Sequence, residues 1–434
     1  MTLRAGAARV KITPAAGLPM AGYAARGAAA TGVHDDLYAR ALALSSGGLT
    51  AVLLVLDVLL LGQDFVKMVR QDIAQAAGIP GQNVIVVGTH THSGPAGLVD
   101  PDVHGGALAR YQPFLGLHDP ELCRTLRQHS VQVVEDALRN RRTVRVAVGS
   151  ASAPGLAGNR RRADGLVDRD VVVVRLDDEQ GQRRVLIFSQ GCHPTVLGPD
   201  NSRFSGDLVG LACQRLEAQD EGLVVMGLTG AAGDVSTRST RRASTFEEAE
   251  RLSDLLAGAV KRAAAGPVAV ADGGLQLNSG LLYADQRPLP PPEELERRLA
   301  AAKQALEQAR REERSPLEIR LAETAVEGVD FLLDATRRQS PRAKLPVEIS
   351  CLEVGPAVLL MFPVELFAES WLLLRERCGR NRTLIACYAN GYLGYAPPCA
   401  EYVKGGYEAD MAILAEGSAE EMLAFAWWLC QAVG

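Results

Sequence analysis

The residues of this chain that could carry chemistry gather just after its apolar runs. Val84-Ile85-Val86-Val87 leads into Gly88-Thr89-His90-Thr91-His92-Ser93-Gly94-Pro95. In extended backbone, residues two apart project to the same side, so His90 and His92 can address one centre. Imidazole is a common zinc ligand, and such a pair supplies either two ligands or one ligand and one acid-base group. Val185-Leu186-Ile187-Phe188 runs into Gln190-Gly191-Cys192-His193-Pro194-Thr195, which places a third of the seven histidines at an equivalent position. A third run, Val358 to Phe362, delivers Glu365, a carboxylate able to complete a His-His-Glu set with a coordination position left for water or substrate. The bland alternative for Glu365 is a helix-start residue. Tyr395 is an oxygen ligand, a hydrogen-bond donor or simple packing.

Leu223 to Leu228 is followed by Thr229-Gly230-Ala231-Ala232-Gly233-Asp234-Val235-Ser236, small residues that let the backbone approach a ligand. No Gly-Lys-Ser/Thr follows, so this is not a Walker loop, and there is no G-x-S-x-G nucleophile elbow. Ser236 therefore stays ambiguous. His34-Asp35-Asp36 reads as a turn into a strand, with an auxiliary metal site as the alternative. Asp57, midway in an apolar run, is expected to orient a ligand histidine. Asp207 reads as a helix cap with pocket duty left open. His104, His118 and His129 follow no strand and receive no role. The eight cysteines are scattered without a C-x-x-C pair and read as free thiols.

The elements that must position these residues alternate. Ala51 to Leu56 predicts a buried strand, Asp64 to Ala77 a helix capped by Gly78, and Asn83 to Val87 a second strand. Further strands are expected near Val144–Val148, Val171–Leu176, Val185–Phe188, Leu223–Leu228, Val347–Leu352, Val358–Phe362 and Thr383–Cys387, with helices from about Pro120 to Arg139 and Thr245 to Ala265. The fold class is α/β: a mixed, substantially parallel sheet layered with helices. After the proline stop at Pro288–Pro292, Glu293 to Arg314 and Leu317 to Ala335 predict an inserted helical hairpin at about 290–336, either a solvated appendage or a cover over an active site.

Composition excludes several classes. A net charge of -5 is of the wrong sign for a phosphate-backbone binder, so no nucleic-acid partner is expected. No apolar run approaches the roughly 20 residues of a membrane-spanning helix. The N-terminal residues lack an apolar signal region, which predicts a cytoplasmic protein.

The motifs as a set resemble the neutral/alkaline (non-lysosomal) ceramidases and their bacterial relatives, zinc-dependent amidases acting on N-acyl sphingosine. The likeness runs through Ile12-Thr13-Pro14, Met20-Ala21-Gly22-Tyr23, Gly32 to Arg40, the Thr89-His90-Thr91-His92-Ser93-Gly94-Pro95 stretch, Asn159-Arg160, His193-Pro194-Thr195, Ser205-Gly206-Asp207, Gly233 to Ser236, Phe362 to Glu365 and Tyr395 to Glu408. The resemblance implies one zinc ion per chain, held by His90, His193, Glu365 and Tyr395. It sets His92 and Arg160 against the scissile amide, Tyr407 as a further catalytic group, and Ser236 as nucleophile or substrate-binding group. Asp234 and Ser236 are expected to shape the pocket floor. One catalytic domain over 1–434 is implied, without the immunoglobulin-like C-terminal domain of ceramidases.

The loop departs from the family, reading Ser236-Thr237-Arg238 where Pro-Asn usually follows the serine, so the pocket edge is expected to differ. The expected activity is hydrolysis of ceramide or of a smaller, more polar amide, with metal-activated water as nucleophile and a homo-oligomer left open. The alternatives are a zinc-dependent esterase or lactonase on the same scaffold, and a non-catalytic metal-binding protein.

Overall fold

Runs of β-branched and aliphatic residues become strands because both their faces find apolar partners. In the computed structural model, which describes residues 2–100, 107–265, 274–338, 344–379 and 382–431, eight such runs form one sheet. They are β1 (Arg4–Lys11), β2 (Tyr38–Ser46), β3 (Leu49–Leu56), β4 (Val84–Gly88), β5 (Arg142–Ser152), β6 (Asp170–Asp178), β7 (Arg183–Gln190) and β8 (Val224–Thr229). The spatial order is β8-β7-β6-β5-β1-β2-β3-β4. A second sheet runs in chain order through β9 (Leu275–Ala284), β10 (Leu345–Val354), β11 (Ala357–Met361) and β12 (Thr383–Ala386). His104 lies outside the described residues.

The expected mixed α/β architecture is present. Parallel pairing occurs at β3/β4 and β7/β8, the two ends of the large sheet, and at β11/β12. The strands between those ends are antiparallel, with short turns joining β2 to β3 and β6 to β7, whereas a parallel neighbour needs a crossover. The crossovers are α1 (Gln63–Ala77), between β3 and β4, and α3 (Asp207–Glu217), between β7 and β8. Both histidine motifs thus follow a strand of a parallel pair, where the chain must leave the sheet before its next helix.

Period-two alternation sorts β3 into two cores. Leu53 and Val55 face a layer shared with Leu352, Leu359 and Leu384 of the second sheet. Val52, Leu54 and Leu56 face α1 and α2 (Pro120–Arg139) through Phe65, Val69, Leu126 and Val133. At the other end, Val173, Leu186 and Val225 pack on α3 and α4 (Phe246–Ala265). The outer face of the second sheet is covered by α7 (Ala368–Cys378) and α9 (Ser418–Gln431) through Trp371, Met422 and Leu429. α2 starts as its sequence directs, with the Asp119 side chain accepting from the Glu121 and Leu122 amides and Pro120 in the first turn.

The predicted hairpin is present as α5 (Pro292–Arg311) and α6 (Pro316–Arg338), with a small core of Leu295, Val329, Leu332 and Leu333. It is not a detached appendage. α6 packs on the short helix α8 (Tyr407–Met411), and a Cβ at Gly328 would sit 3.4 Å from the Tyr407 ring. Among the described residues no helix is long and apolar enough to cross a membrane.

Asp57 departs from expectation. Its carboxylate takes Arg40 Nη1 at 2.8 Å and the Tyr38 amide at 2.9 Å, not an imidazole. Arg40 also donates through Nε to Glu217 of α3 at 3.0 Å, and Glu217 receives the Val225 amide of β8. A fully buried guanidinium thus holds two buried carboxylates from different layers. Removing it leaves Asp57 without a counter-charge in an apolar interior. Arg40→Met is therefore expected to cost about 3–5 kcal/mol of stability, read from the midpoint of urea unfolding; a change below 1 kcal/mol would refute the role given to this cluster.

Candidate metal centre

His90 follows β4 with φ of 65°, a left-handed conformation uncommon for a residue with a Cβ. Its amide donates to Val58 O at 2.9 Å, which turns the chain sharply off the strand end. Stored backbone strain of this kind gathers at functional sites. His193 follows β7, and its segment forms a bridge with Ser236. Glu365 and Tyr395 stand opposite each other in a short parallel pairing of Glu365–Leu366 with Tyr395–Ala396. Segments remote in the chain are thereby joined around one point.

Each histidine is oriented by a backbone carbonyl at its Nδ1: His90 by Leu59 O at 2.9 Å, His92 by Gly22 O at 2.9 Å and His193 by Ala232 O at 2.7 Å. A carbonyl only accepts, so each Nδ1 carries the proton and each Nε2 presents a bare lone pair. Those lone pairs converge. Nε2 of His90 is 3.0 Å from that of His193 and 3.3 Å from that of His92, and the three ligand atoms lie within 4.8 Å of one another. Burial holds all three imidazoles below their ordinary range, His92 at about 3, with Arg160 adding to the effect. Neutral rings with mutually facing lone pairs repel unless a cation lies among them, so the donor set fits a metal ion.

Glu365 adds a carboxylate oxygen to the group, with Oε2 at 3.3 Å from His193 Nε2 and 3.9 Å from His90 Nε2. Burial pushes its carboxyl up to about 7, opposed by Tyr392, Arg160 and Tyr388. Tyr392 donates to Oε1 at 2.6 Å and Tyr388 to Oε2 at 3.2 Å, while the Tyr388 ring stacks on His90 with centroids 3.7 Å apart. Sequence reasoning missed both tyrosines as supports. The Tyr388, Tyr392 and Tyr395 spacing after a strand was the available signal, but nothing local says that the hydroxyls turn back onto Glu365.

The predicted residues are distributed as follows. His92, Arg160, His193, Ser236, Tyr395 and Tyr407 line one cavity of about 570 Å3, with His90 and Glu365 buried beside its wall. Arg160 Nη2 donates to Tyr395 Oη at 3.0 Å and to Gly233 O at 2.7 Å, and its Nε is anchored by Glu408 at 2.9 Å. Tyr407 meets Tyr395 edge-on at 5.9 Å, and burial raises its hydroxyl well above the ordinary range. Ser236 Oγ accepts from the Arg238 amide at 3.2 Å.

Asp234 points elsewhere. Its carboxylate accepts from Asn159 at 2.7 Å and from the Ala368 amide, at the start of α7, at 2.8 Å, so it braces the loop from behind. Asp207 accepts from the Val196, Leu197 and Leu208 amides and holds the His193 loop against α3. His34 pairs with Asp35 at 2.8 Å and stacks on Phe246, as a turn residue. The far side of the cavity is α6, through Arg320, Thr324 and Glu327, so the hairpin covers the site. A second cavity, of about 590 Å3 beside α1 and Glu348, contains none of the predicted site residues.

Comparison with known proteins gives the family and the fold. Residues 3–240 match the family model described as neutral/alkaline non-lysosomal ceramidase, N-terminal. Neutral ceramidase A of Dictyostelium discoideum is 30% identical over 229 residues, a stretch covering 50% of this chain and 32% of that protein. The chain therefore matches about a third of the length of that relative. The fold is similar to the crystal structure of neutral ceramidase from Pseudomonas aeruginosa, with a TM-score of 0.78 at 19% identity over 100% of this chain and 74% of that one. A ceramidase complexed with C2 gives 0.76 at 19% identity, covering 100% of this chain and 75% of that one.

Gly22 sets the position of His92. Its φ is +104°, and a Cβ there would fall 2.6 Å from the His92 ring. Gly22→Ala is expected to push the ring off its carbonyl and to weaken binding of a divalent metal ion by roughly 10–100-fold, measured by equilibrium dialysis; unchanged affinity would mean that the ring's orientation does not matter to the ion.

Proposed function

The chain belongs to the neutral/alkaline non-lysosomal ceramidase family, and from that premise we propose that it is a zinc-dependent amidohydrolase cleaving an N-acyl amide, ceramide or a smaller one. The observation that carries this reading is the convergence of three unprotonated imidazole nitrogens beside a buried carboxylate at the wall of a cavity. We assign His90, His193, Glu365 and Tyr395 as the residues that hold the ion, with His92 beside them. A bound zinc ion would supply Lewis acidity and lower the pKa of water from about 16 to about 7.

The remaining steps belong to the chain's own groups. Amide hydrolysis builds negative charge on the carbonyl oxygen and needs a proton for the departing amine. Arg160 meets the first need with a permanent cation, held rigid by Glu408 and the Gly233 carbonyl so that little reorganisation accompanies charge development. Tyr407 keeps its proton at neutral pH and can donate it as a hydrogen bond to the same oxygen. His92, neutral and fixed through Nδ1 on Gly22 O, presents Nε2 as a proton acceptor that can then pass the proton to the amine. Ser236 lies in the cavity wall, where its hydroxyl binds substrate. Asp234 acts indirectly, by holding the Gly233–Ser236 loop against α7.

Two variants test these roles. His193→Ala is expected to lose zinc and hydrolysis together, read by metal analysis and by assays on matched long-chain ceramides and short N-acyl amides. Full turnover of amides by metal-free protein would end the reading, and turnover of esters alone would replace it with an esterase. Arg160→Gln is expected to lower kcat by roughly 10²–10³-fold with zinc content retained; a change confined to KM would remove it from charge stabilisation.

A further inference from the structure

The cavity wall holds positive charge that the protein itself does not neutralise. Arg238, two residues after Ser236, lines the cavity, and its guanidinium has no hydrogen bond or ion pair among the described residues. The Arg241 guanidinium, on the same wall, donates to the Thr195 carbonyl and has no carboxylate partner among the described residues. The acids of the cavity interior are already engaged. Glu408 is held by Arg160 and Arg161, Glu401 by Arg161 and Lys404, and Glu323 and Glu327 by Arg320. Asp200 is exposed and pairs with none of these cations.

Burial and the like charges of Arg160, Arg320 and Arg241 lower Arg238 to about 10, against an attraction to Glu408. An unpaired guanidinium on a half-enclosed wall is costly to keep unless a ligand supplies the counter-charge. Guanidinium matches the paired oxygens of a carboxylate or phosphate better than any neutral amide or hydroxyl.

We propose that the substrate is an amide bearing an anionic oxygen group, carboxylate or phosphate, and that Arg238 is the residue that binds this group beside Ser236. The proposal rests on the amidohydrolase reading. Arg241 adds to the attractive field without direct contact being required, and the bound anion draws the amide toward Arg160 and His92 on the same cavity surface.

The test uses the full chain loaded with zinc and three amides of equal acyl length: N-octanoylglycine, N-octanoyl-O-phosphoethanolamine and neutral N-octanoylpropylamine. The wild type is expected to favour one of the charged amides over the neutral one by at least roughly tenfold in kcat/KM. Arg238→Gln is expected to abolish most of that ratio and Arg238→Lys to restore part of it. Which charged amide is preferred distinguishes carboxylate from phosphate. A ratio near one in the wild type, or a ratio unchanged in Arg238→Gln, overturns the proposal. If none of the three is hydrolysed, turnover of long-chain ceramide decides the amidohydrolase reading separately, and calorimetric titration with the two charged amides decides the anion site. Binding at least roughly tenfold weaker in Arg238→Gln supports the site, whereas equal binding or none overturns it.

Discussion

Three neutral imidazoles aimed at one point form an arrangement that no isolated peptide would adopt, and the structure around them exists to hold it. Each lone pair is fixed by a proton placed on the opposite nitrogen, and each of those protons is fixed by a main-chain carbonyl at Leu59, Gly22 or Ala232. The three carbonyls belong to three separated loops. Their relative positions are set by the large sheet and its crossovers, so the stiffness of the fold is converted directly into ligand orientation.

The surroundings add the charge balance. Glu365 enters from the second sheet, and Tyr388 and Tyr392 stabilise its charged form against the desolvation that burial imposes. Arg160 supplies a cation in the cavity wall, tied to Glu408 on one side and to Tyr395 on the other. Without such partners a buried guanidinium or carboxylate would destabilise the core by several kcal/mol. The same logic operates far from the site at Arg40, where Asp57 and Glu217 join the strands to α3. The contrast with Arg238 is informative, because its side chain has no such internal partner.

Covering the site falls to α6. The close packing permitted by Gly328 against Tyr407 places Arg320, Thr324 and Glu327 across the cavity from His92 and Ser236. The hairpin therefore contributes to the shape and polarity of the space available to a substrate, and its ion-paired acids leave the arginines after Ser236 as the unbalanced charge.

Much of this was legible in the amino-acid order. Apolar runs bounded by glycine and proline located most of the strands, Gly78 marked a helix end, and the proline stop predicted the hairpin, because those signals act within a few residues of chain. The residue types after the strand ends likewise pointed to one shared centre, although the reason differs from the expected one: His90 is left-handed and not extended, so the turn off β4, and not strand alternation, brings it to His92. Strand β9 went unread because its outward-facing residues obscure the alternation, and the strand pairing was more antiparallel at the centre than the βαβ pattern implied. Asp57 was assigned to a histidine because sequence reveals its burial but not its partner; the guanidinium that claims it comes from β2 and serves α3 as well. The support given to Glu365 by Tyr388 and Tyr392, the turn of the Asp234 carboxylate onto Asn159 and the Ala368 amide, and the solitary position of Arg238 were decided only in three dimensions. Periodicity reports which side of an element is buried, whereas the atom that a polar group meets depends on segments that become neighbours only after the two sheets have packed.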